Sequence, residues 1–291
     1  MYEKIDNCPL CESGHFHNHL ITKDFLVTNE SFAIVTCDNC GFKFTNPRPT
    51  KNEISKYYES ENYISHSNKG SSIINTAYKI ARRFTLKSKL SLITKLSSGK
   101  KLLDFGCGTG HFLAECEKAG WSCTGVEPDL KAREKASLNK NVNIIDHLDT
   151  LENEKYDIIT LWHVLEHVHD IDETLASLRR KLTKKSKLLI AVPNCASWDA
   201  QNYKEHWAGY DVPRHLYHFE PDTISQFMSK HKMKLKETYP QKLDSYYVSL
   251  LSDKNKFNRH RYLRSVRNGI LSNINAHKSN MYSSIIYIFS K

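Results

Sequence analysis

Leu102-Leu103-Asp104-Phe105-Gly106-Cys107-Gly108-Thr109-Gly110-His111-Phe112-Leu113 holds an apolar strand, a Gly-x-Gly-x-Gly turn and the start of a helix. Glycines let backbone pass close to a ligand, and a helix N-terminus presents unpaired amides to it. A dinucleotide fingerprint would read Gly-x-Gly-x-x-Gly; here the third glycine comes one residue early, and position 111 is histidine. An acid follows at the end of the next strand, in Gly125-Val126-Glu127-Pro128. A carboxylate there can accept both hydroxyls of an adenosine ribose. Strand, loop and distal acid together describe a nucleoside site, with a nicotinamide dinucleotide as the alternative occupant.

Outward from this loop the pattern alternates strand and helix, which argues an α/β fold with a parallel sheet covered on both faces. Strands are expected at Lys101–Phe105, Ser122–Val126, Val142–Ile145, Tyr156–Trp162 and Lys187–Val192. Helices are expected at Phe112–Ala119, Leu130–Asn139, Ile171–Leu182 (opened by a capping box, Asp170-x-x-Glu173) and Pro221–Lys230. Two late strands, Met233–Tyr239 and Tyr282–Phe289, have no strong helix between them and are expected to pair antiparallel at one sheet edge.

This combination resembles the class I S-adenosylmethionine-dependent methyltransferases over about residues 100–290, including a final antiparallel hairpin. The likeness implies a Rossmann-like sheet and S-adenosylmethionine as cofactor. By it, Asp104, Gly106, Cys107, Gly108 and Gly110 surround the methionine moiety and Glu127 holds the ribose. Asp146 or His147 lies near adenine, and Trp162 closes a strand passing beneath the methionine. With the N-terminal module described below, the chain is similar to a bacterial subgroup whose substrates are mostly unassigned.

The acceptor site is expected where the fourth strand ends, in Trp162-His163-Val164-Leu165-Glu166-His167-Val168-His169-Asp170. On one helical turn, His163, Glu166 and His167 would share a face at i, i+3 and i+4. After Val192-Pro193-Asn194 comes an insertion, 195–219, with Trp198, Tyr203, His206, Trp207, Tyr210, Asp211, Arg214, His215, Tyr217 and His218. Its aromatic residues suit the walls of a pocket, and its histidines can accept a proton. His163, Glu166, His167 and His215 are therefore the candidates for acceptor activation, as bases or as a second divalent-metal site. Their grouping is similar to one in ubiquinone O-methyltransferases and small-RNA 2′-O-methyltransferases, where Glu-x-x-Glu-His binds a metal. Here histidine replaces the first glutamate, and imidazole favours zinc, iron or copper over magnesium. The competing reading keeps Glu166 and His167 as purely structural supports.

Two Cys-x-x-Cys knuckles, Cys8/Cys11 and Cys37/Cys40, stand before this core. Each aims two thiolates at one ion, so residues 1–50 read as a zinc ribbon with a structural metal. Phe25–Val27 and Phe32–Val35 are its expected strands; His15, His17 and His19 are expected on the surface. Too little core exists in so small a module for folding without metal. Cys107, Cys116, Cys123 and Cys195 are scattered and read as free thiols. Residues 51–98 form a helical linker: a capping box at Thr50-x-x-Glu53, a loop with Tyr63, Ser65 and His66, then a helix over Ile73–Leu96 with Ile73, Ala77, Ile80 and Phe84 on one stripe. The methyltransferase domain spans 99–291.

The 291 residues carry 42 Lys/Arg against 32 Asp/Glu, with 40% hydrophobic residues, which excludes wholesale disorder. No transmembrane run is present, and Met1–Asp6 lacks a signal-peptide stretch, so a cytoplasmic location is expected. The positive excess is concentrated in two acid-free stretches, Asn62–Leu103 and Lys254–Lys291. They suit an anionic partner, or else are solvated basic faces. The leading functional reading is methyl transfer to a small-molecule acceptor: a sugar, lipid or quinone-like compound, anionic acceptors included. The alternative is an RNA methyltransferase gripping phosphates with the basic stretches and ribbon, although between Cys8 and Cys40 the only basic residue is Lys23. Oligomeric state has no signature in the sequence.

Overall fold

The computed structural model describes residues 1–58, 73–151 and 154–291, without the side chains of 73–79. Tyr63, Ser65 and His66, and the side chains of Ile73 and Ala77, lie outside the described residues. The chain opens with β1 (Tyr2–Glu3), β2 (Phe16–Lys23), β3 (Ser31–Cys37), β4 (Lys43–Thr45) and β5 (Arg48–Pro49). The segment Phe25–Val27, expected as a strand, is instead a turn. Buried Asp24 gathers its amides, accepting from Leu26 N at 3.1 Å, Val27 N at 3.2 Å and Thr28 N at 2.8 Å. A short carboxylate side chain competes with a strand ladder for such donors. The capping box at Thr50 does not form either. Glu53 pairs with the N-terminal ammonium at 3.3 Å, and only a 3-10 turn, Ile54–Tyr57, follows.

Helix α1 (Ile73–Leu96) covers one face of the main sheet. Ile80 and Phe84 are exposed, against the expected stripe; Leu86, Leu90 and Ile93, in the second half of the helix, are the residues in the core. Next come β6 (Lys101–Phe105), α2 (His111–Lys118), β7 (Ser122–Val126), α3 (Leu130–Ala136), β8 (Asn143–Ile145), β9 (Tyr156–Trp162), α4 (Ile171–Arg180) and β10 (Leu182–Pro193). Asp170 does not cap α4 through its side chain; it accepts from Lys51 at 2.6 Å instead. The C-terminal third is α5 (Trp198–Tyr203), β11 (Tyr217–His218), α6 (Pro221–Lys230), β12 (Lys234–Pro240), α7 (Asp244–Phe257), α8 (Tyr262–Ser279) and β13 (Ser284–Ser290).

Among the described residues the main sheet has seven strands in the order β12-β13-β10-β9-β6-β7-β8. The five central and edge strands β10, β9, β6, β7 and β8 run parallel, while β13 is antiparallel to both β10 and β12. From β6 the chain steps outward to β7 and β8, then returns to β9 on the other side of β6. The crevice at that reversal is where ligands enter open parallel sheets. The late antiparallel edge is as expected, but the link between its strands is not. Two helices, α7 and α8, lie there. Their buried faces are Ser245, Ser249, Ser252 and Asp253, and Ser265, Asn268, Gly269 and Ser272. Neither helix turns an apolar stripe toward the core, so neither reads as an ordinary core-facing helix.

β11 leaves the insertion to join the N-terminal sheet, whose order is β11-β4-β3-β2. The two parts also share a core: the Phe42 ring lies 5.9 Å from Tyr217, 5.6 Å from Phe219 and 5.7 Å from Phe227. Burying an aromatic side chain of this size stabilises by about 1.5–3 kcal/mol. The N-terminal module is thereby fixed to the main sheet's domain through the insertion.

Candidate active site

The glycine loop leaves β6 with Gly106, Gly108 and Gly110 all left-handed, at φ 74°, 54° and 75°. A Cβ on Gly106 would stand 2.5 Å from a Val164 methyl, whereas one on Gly108 would meet nothing within 4 Å. The first glycine thus lets the loop approach the turn after β9; the second borders open space. Glu127 faces this space from the end of β7. Its Oε2 accepts from Gly108 N at 2.7 Å and its Oε1 from Asp129 N at 3.0 Å. These bonds aim the carboxylate and leave lone pairs free for a ligand. Burial raises its pKa, partly offset by the two amides. Asp104 is buried; burial pushes its carboxyl up to about 7, against the Thr160 hydroxyl that donates to it at 2.6 Å and the nearby Lys89. Cys107 is half-buried beside them. Asp146 and His147 are exposed just after β8. Trp162 ends β9 with its ring 5.4 Å from Phe112.

Lys89 was not anticipated from the sequence. From α1 its ammonium lies 4.3 Å from the Trp162 ring centroid. Burial lowers its pKa while Asp244 and Asp104 hold it up. Its only sequence signal is membership of the acid-free stretch, which does not single it out.

The turn after β9 separates the four activation candidates. His163 is left-handed at φ 58°, and a 3-10 turn, Leu165–His167, follows. A single α-helical face for His163, Glu166 and His167 is therefore not formed. Glu166, His167 and His215 instead converge, with ligand atoms all within 4.8 Å of one another. His163 stands beside them, its Nδ1 3.6 Å from Glu166 and its Nε2 3.2 Å from Asp244. Asp244, the first residue of α7, is the second residue that sequence reasoning missed. Nothing local marks it.

Electrostatics sort these groups. Burial disfavours the His163 cation, but Asp244 and Glu166 outweigh it and raise its pKa to about 9. His167 goes the other way, to about 4, through burial and the neighbouring His215. At neutral pH His163 is charged and His167 is not. Glu166 is completely buried; the three histidines overcome its desolvation and keep its pKa low. Neither of its carboxylate oxygens has a hydrogen-bond partner among the described residues. Both His167 and His215 place Nδ1 against a backbone carbonyl, Arg214 O at 3.1 Å and Gly209 O at 2.9 Å. A carbonyl only accepts, so each Nδ1 carries a proton, Nε2 is left as the ligating atom of both rings, and neutral His167 keeps a lone pair there. The His167 and His215 rings lie 4.6 Å apart.

The aromatic insertion does not form open pocket walls. Tyr203, Trp207, Tyr210 and Tyr217 are all buried. Trp207 Nε1 donates to Asp199 at 2.9 Å, and Tyr203 OH to Asp253 at 3.2 Å. These residues form a second core whose effect is to carry His215 to the turn after β9. In the N-terminal module Cys8, Cys11, Cys37 and Cys40 also converge within 4.8 Å. Cys8 Sγ is 3.6 Å from Cys40 Sγ, and Cys11 Sγ 3.5 Å from Cys37 Sγ. Zinc bound tetrahedrally at about 2.3 Å separates its sulfurs by about 3.8 Å, so the four thiols fit such an ion with little movement.

Comparison with known proteins agrees with this geometry. The chain is 25% identical over 158 residues to a ubiquinone biosynthesis O-methyltransferase of Rhodopseudomonas palustris, covering 48% of this chain and 60% of that one. A Proteus mirabilis protein of the same name is 35% identical over 81 residues, 25% of this chain and 33% of that one. The chain thus spans less than two thirds of the length of these relatives. Among solved structures, magnesium protoporphyrin IX methyltransferase from Synechocystis with bound SAH superposes with a TM-score of 0.55 at 14% identity, over 83% of this chain and all of that one. The [4+2]-cyclase SpnF superposes at 0.53 and 15% identity, over 84% of this chain and 98% of that one; these likenesses show the fold. A family model described as "Methyltransferase domain" matches residues 78–235, more than half of the chain. The chain belongs to the methyltransferase-domain family, built on the class I sheet.

Proposed function

We propose that this chain transfers a methyl group from S-adenosylmethionine to an oxygen of a small-molecule acceptor of the sugar, lipid or quinone-like class. The observation that carries this reading is the pairing of two sites at one sheet reversal. A glycine loop with Glu127 and Asp104 supplies the donor side; Glu166, His167 and His215 supply the acceptor side. Glu127 accepts the ribose hydroxyls. Asp104 and the loop amides hold the methionine end, and Trp162 excludes water beneath it. Methyl transfer is an in-line displacement at the sulfonium, so alignment of acceptor and methyl supplies much of the rate.

An acceptor hydroxyl must also lose a proton. The acceptor-side cluster fits a divalent metal: one buried carboxylate without a hydrogen bond and two Nε2 atoms, each ring fixed by a carbonyl behind it. Such an ion, when bound, polarises an acceptor oxygen. With two imidazoles in the set, zinc or iron suits it better than magnesium. Without an ion, neutral His167 is the base, while His163, already protonated, is the cation beside the reacting oxygen. In the N-terminal module, Cys8, Cys11, Cys37 and Cys40 hold a structural zinc.

The deciding experiment is transfer of labelled methyl from S-adenosylmethionine into separated lipid, glycan and RNA fractions of the source cells. Label in the lipid or glycan fraction is expected. Label confined to RNA would replace the small-molecule reading with its alternative, and no label anywhere would remove the activity.

A further inference from the structure

Helix α8 is turned inside out relative to an ordinary surface helix. Its buried face is Ser265, Asn268, Gly269, Ser272 and Ala276. These residues are small because α7 comes close: a Cβ on Gly269 would stand 3.0 Å from the Tyr246 Cα. The apolar residues Leu263, Val266, Ile270 and Ile274 follow at i, i+3, i+7 and i+11 on the opposite face, exposed by 90%, 50%, 43% and 55%. Leu243 and Tyr247 of the α7 region add further exposed apolar surface. An open groove of about 370 Å³ runs between the helices, lined by Tyr246, Ile270, Ile274 and Lys278 among others. Single exposed hydrophobics are ordinary, but a continuous ridge marks an interaction surface.

Charge indicates the partner. Beyond Asp253, which is buried and paired with Arg264 at 3.1 Å, no acid occurs to the end of the sequence. Lys254, Lys256, Arg259, Arg267 and Lys278 are exposed along the hairpin. A two-fold contact with a second copy would set these cations against their own images. A nucleic acid would neutralise them but leave the Leu263 ridge in water. An anionic bilayer satisfies both, because apolar side chains enter the acyl boundary while Lys and Arg meet lipid phosphates.

We propose that the α7–α8 hairpin docks this protein flat on an anionic lipid surface. No described helix is long and apolar enough to cross a membrane, so the hairpin lies in the interface. Because Asp244 at the start of α7 reaches His163, docking sets the candidate active site beside that surface. Only this last consequence rests on the proposed function; the docking does not.

The test is sedimentation of the full chain with phosphatidylcholine vesicles, with or without phosphatidylglycerol, at low and high salt, and no methyl donor present. Binding to the anionic vesicles, weakened by salt, is expected. Leu263→Glu with Ile270→Glu should reduce it by at least about tenfold. Arg267→Gln with Lys278→Gln should cost about fivefold per charge on anionic vesicles and nothing on neutral ones. All four positions are exposed, and unchanged circular dichroism and S-adenosylmethionine binding check that the variants fold. Absence of vesicle binding by the unaltered chain overturns the proposal. So does a dimer that Leu263→Glu dissociates without any lipid effect, or RNA binding that the ridge variant leaves intact while vesicles are ignored.

Discussion

Asp104 illustrates how one buried group ties stability to ligand binding. Its folded-state pKa is raised from 3.8 to about 7. The folded chain therefore holds this proton more tightly than the unfolded chain. The contribution to stability is full below the unfolded value and is lost as pH rises toward 7. S-adenosylmethionine is cationic at sulfur and at its amino group, so it favours the ionised carboxylate. Its affinity should rise with pH through about 7, by up to about tenfold per unit below that point. Calorimetric titration across pH checks this, and an unchanged pH profile in Asp104→Asn would remove Asp104 from the cofactor site. On the acceptor side, Glu166→Ala and His215→Ala should each lower turnover by about 10²–10⁴ while leaving cofactor affinity nearly unchanged. Full turnover on the true acceptor in both variants would return these residues to a structural role. Chelation that stops turnover without releasing cofactor favours the metal over the His167 base. His163, Glu166 and His167 were legible as candidates because all follow one strand end. Their division into a charged His163 and a neutral His167 was not, because it depends on Asp244 and His215, which are distant in sequence.

At the scale of elements, the Cys-x-x-Cys knuckles fix a site before any fold exists, since each turn holds its two thiols locally. Metal analysis should give about one zinc per chain at the thiols, and about two if zinc also fills the Glu166, His167 and His215 cluster. Removal of zinc by a strong chelator should lower the melting temperature and expose the amides of β2–β4 to hydrogen exchange. A zinc-free protein with the same melting temperature before and after chelation would exclude the structural role. Elements with clear apolar periodicity were legible almost to the residue: β6, β7, β9 and α6 match their expected spans. α7 and α8 were not, because serines and an asparagine face their interior while leucine and isoleucine face out. The Phe25–Val27 strand failed for a related reason: Asp24 captures amides that a ladder would have used.

Across the whole molecule, Arg214 is the tie between distant parts. Its buried guanidinium donates to Asp24 at 2.9 Å, to Asp211 at 2.7 Å and to Tyr57 O at 2.8 Å. It thus joins the turn after β2, the insertion and the linker. Breaking a buried pair leaves an uncompensated charge, so Arg214→Met should cost about 3–5 kcal/mol in urea unfolding. Loss of the more exposed Lys230–Asp172 pair by Lys230→Met should cost under about 1 kcal/mol. Equal, small effects would mean that the N-terminal module is only loosely attached.

The sequence by itself determined the sheet, the glycine loop with its distal Glu127 and the cysteine quartet. Each rests on short-range order: alternation of apolar residues, left-handed glycines in one turn, and paired thiols with two residues between them. Tertiary structure decided what required chain segments far apart in sequence to meet. It brought His215 to Glu166 and His167, set Asp244 against His163, directed Lys89 over Trp162 and added β11 to the N-terminal sheet. It also turned the insertion's aromatic residues inward, because there they bury apolar area while their polar tips find Asp199 and Asp253. Such contacts depend on packing between elements, which local periodicity does not encode.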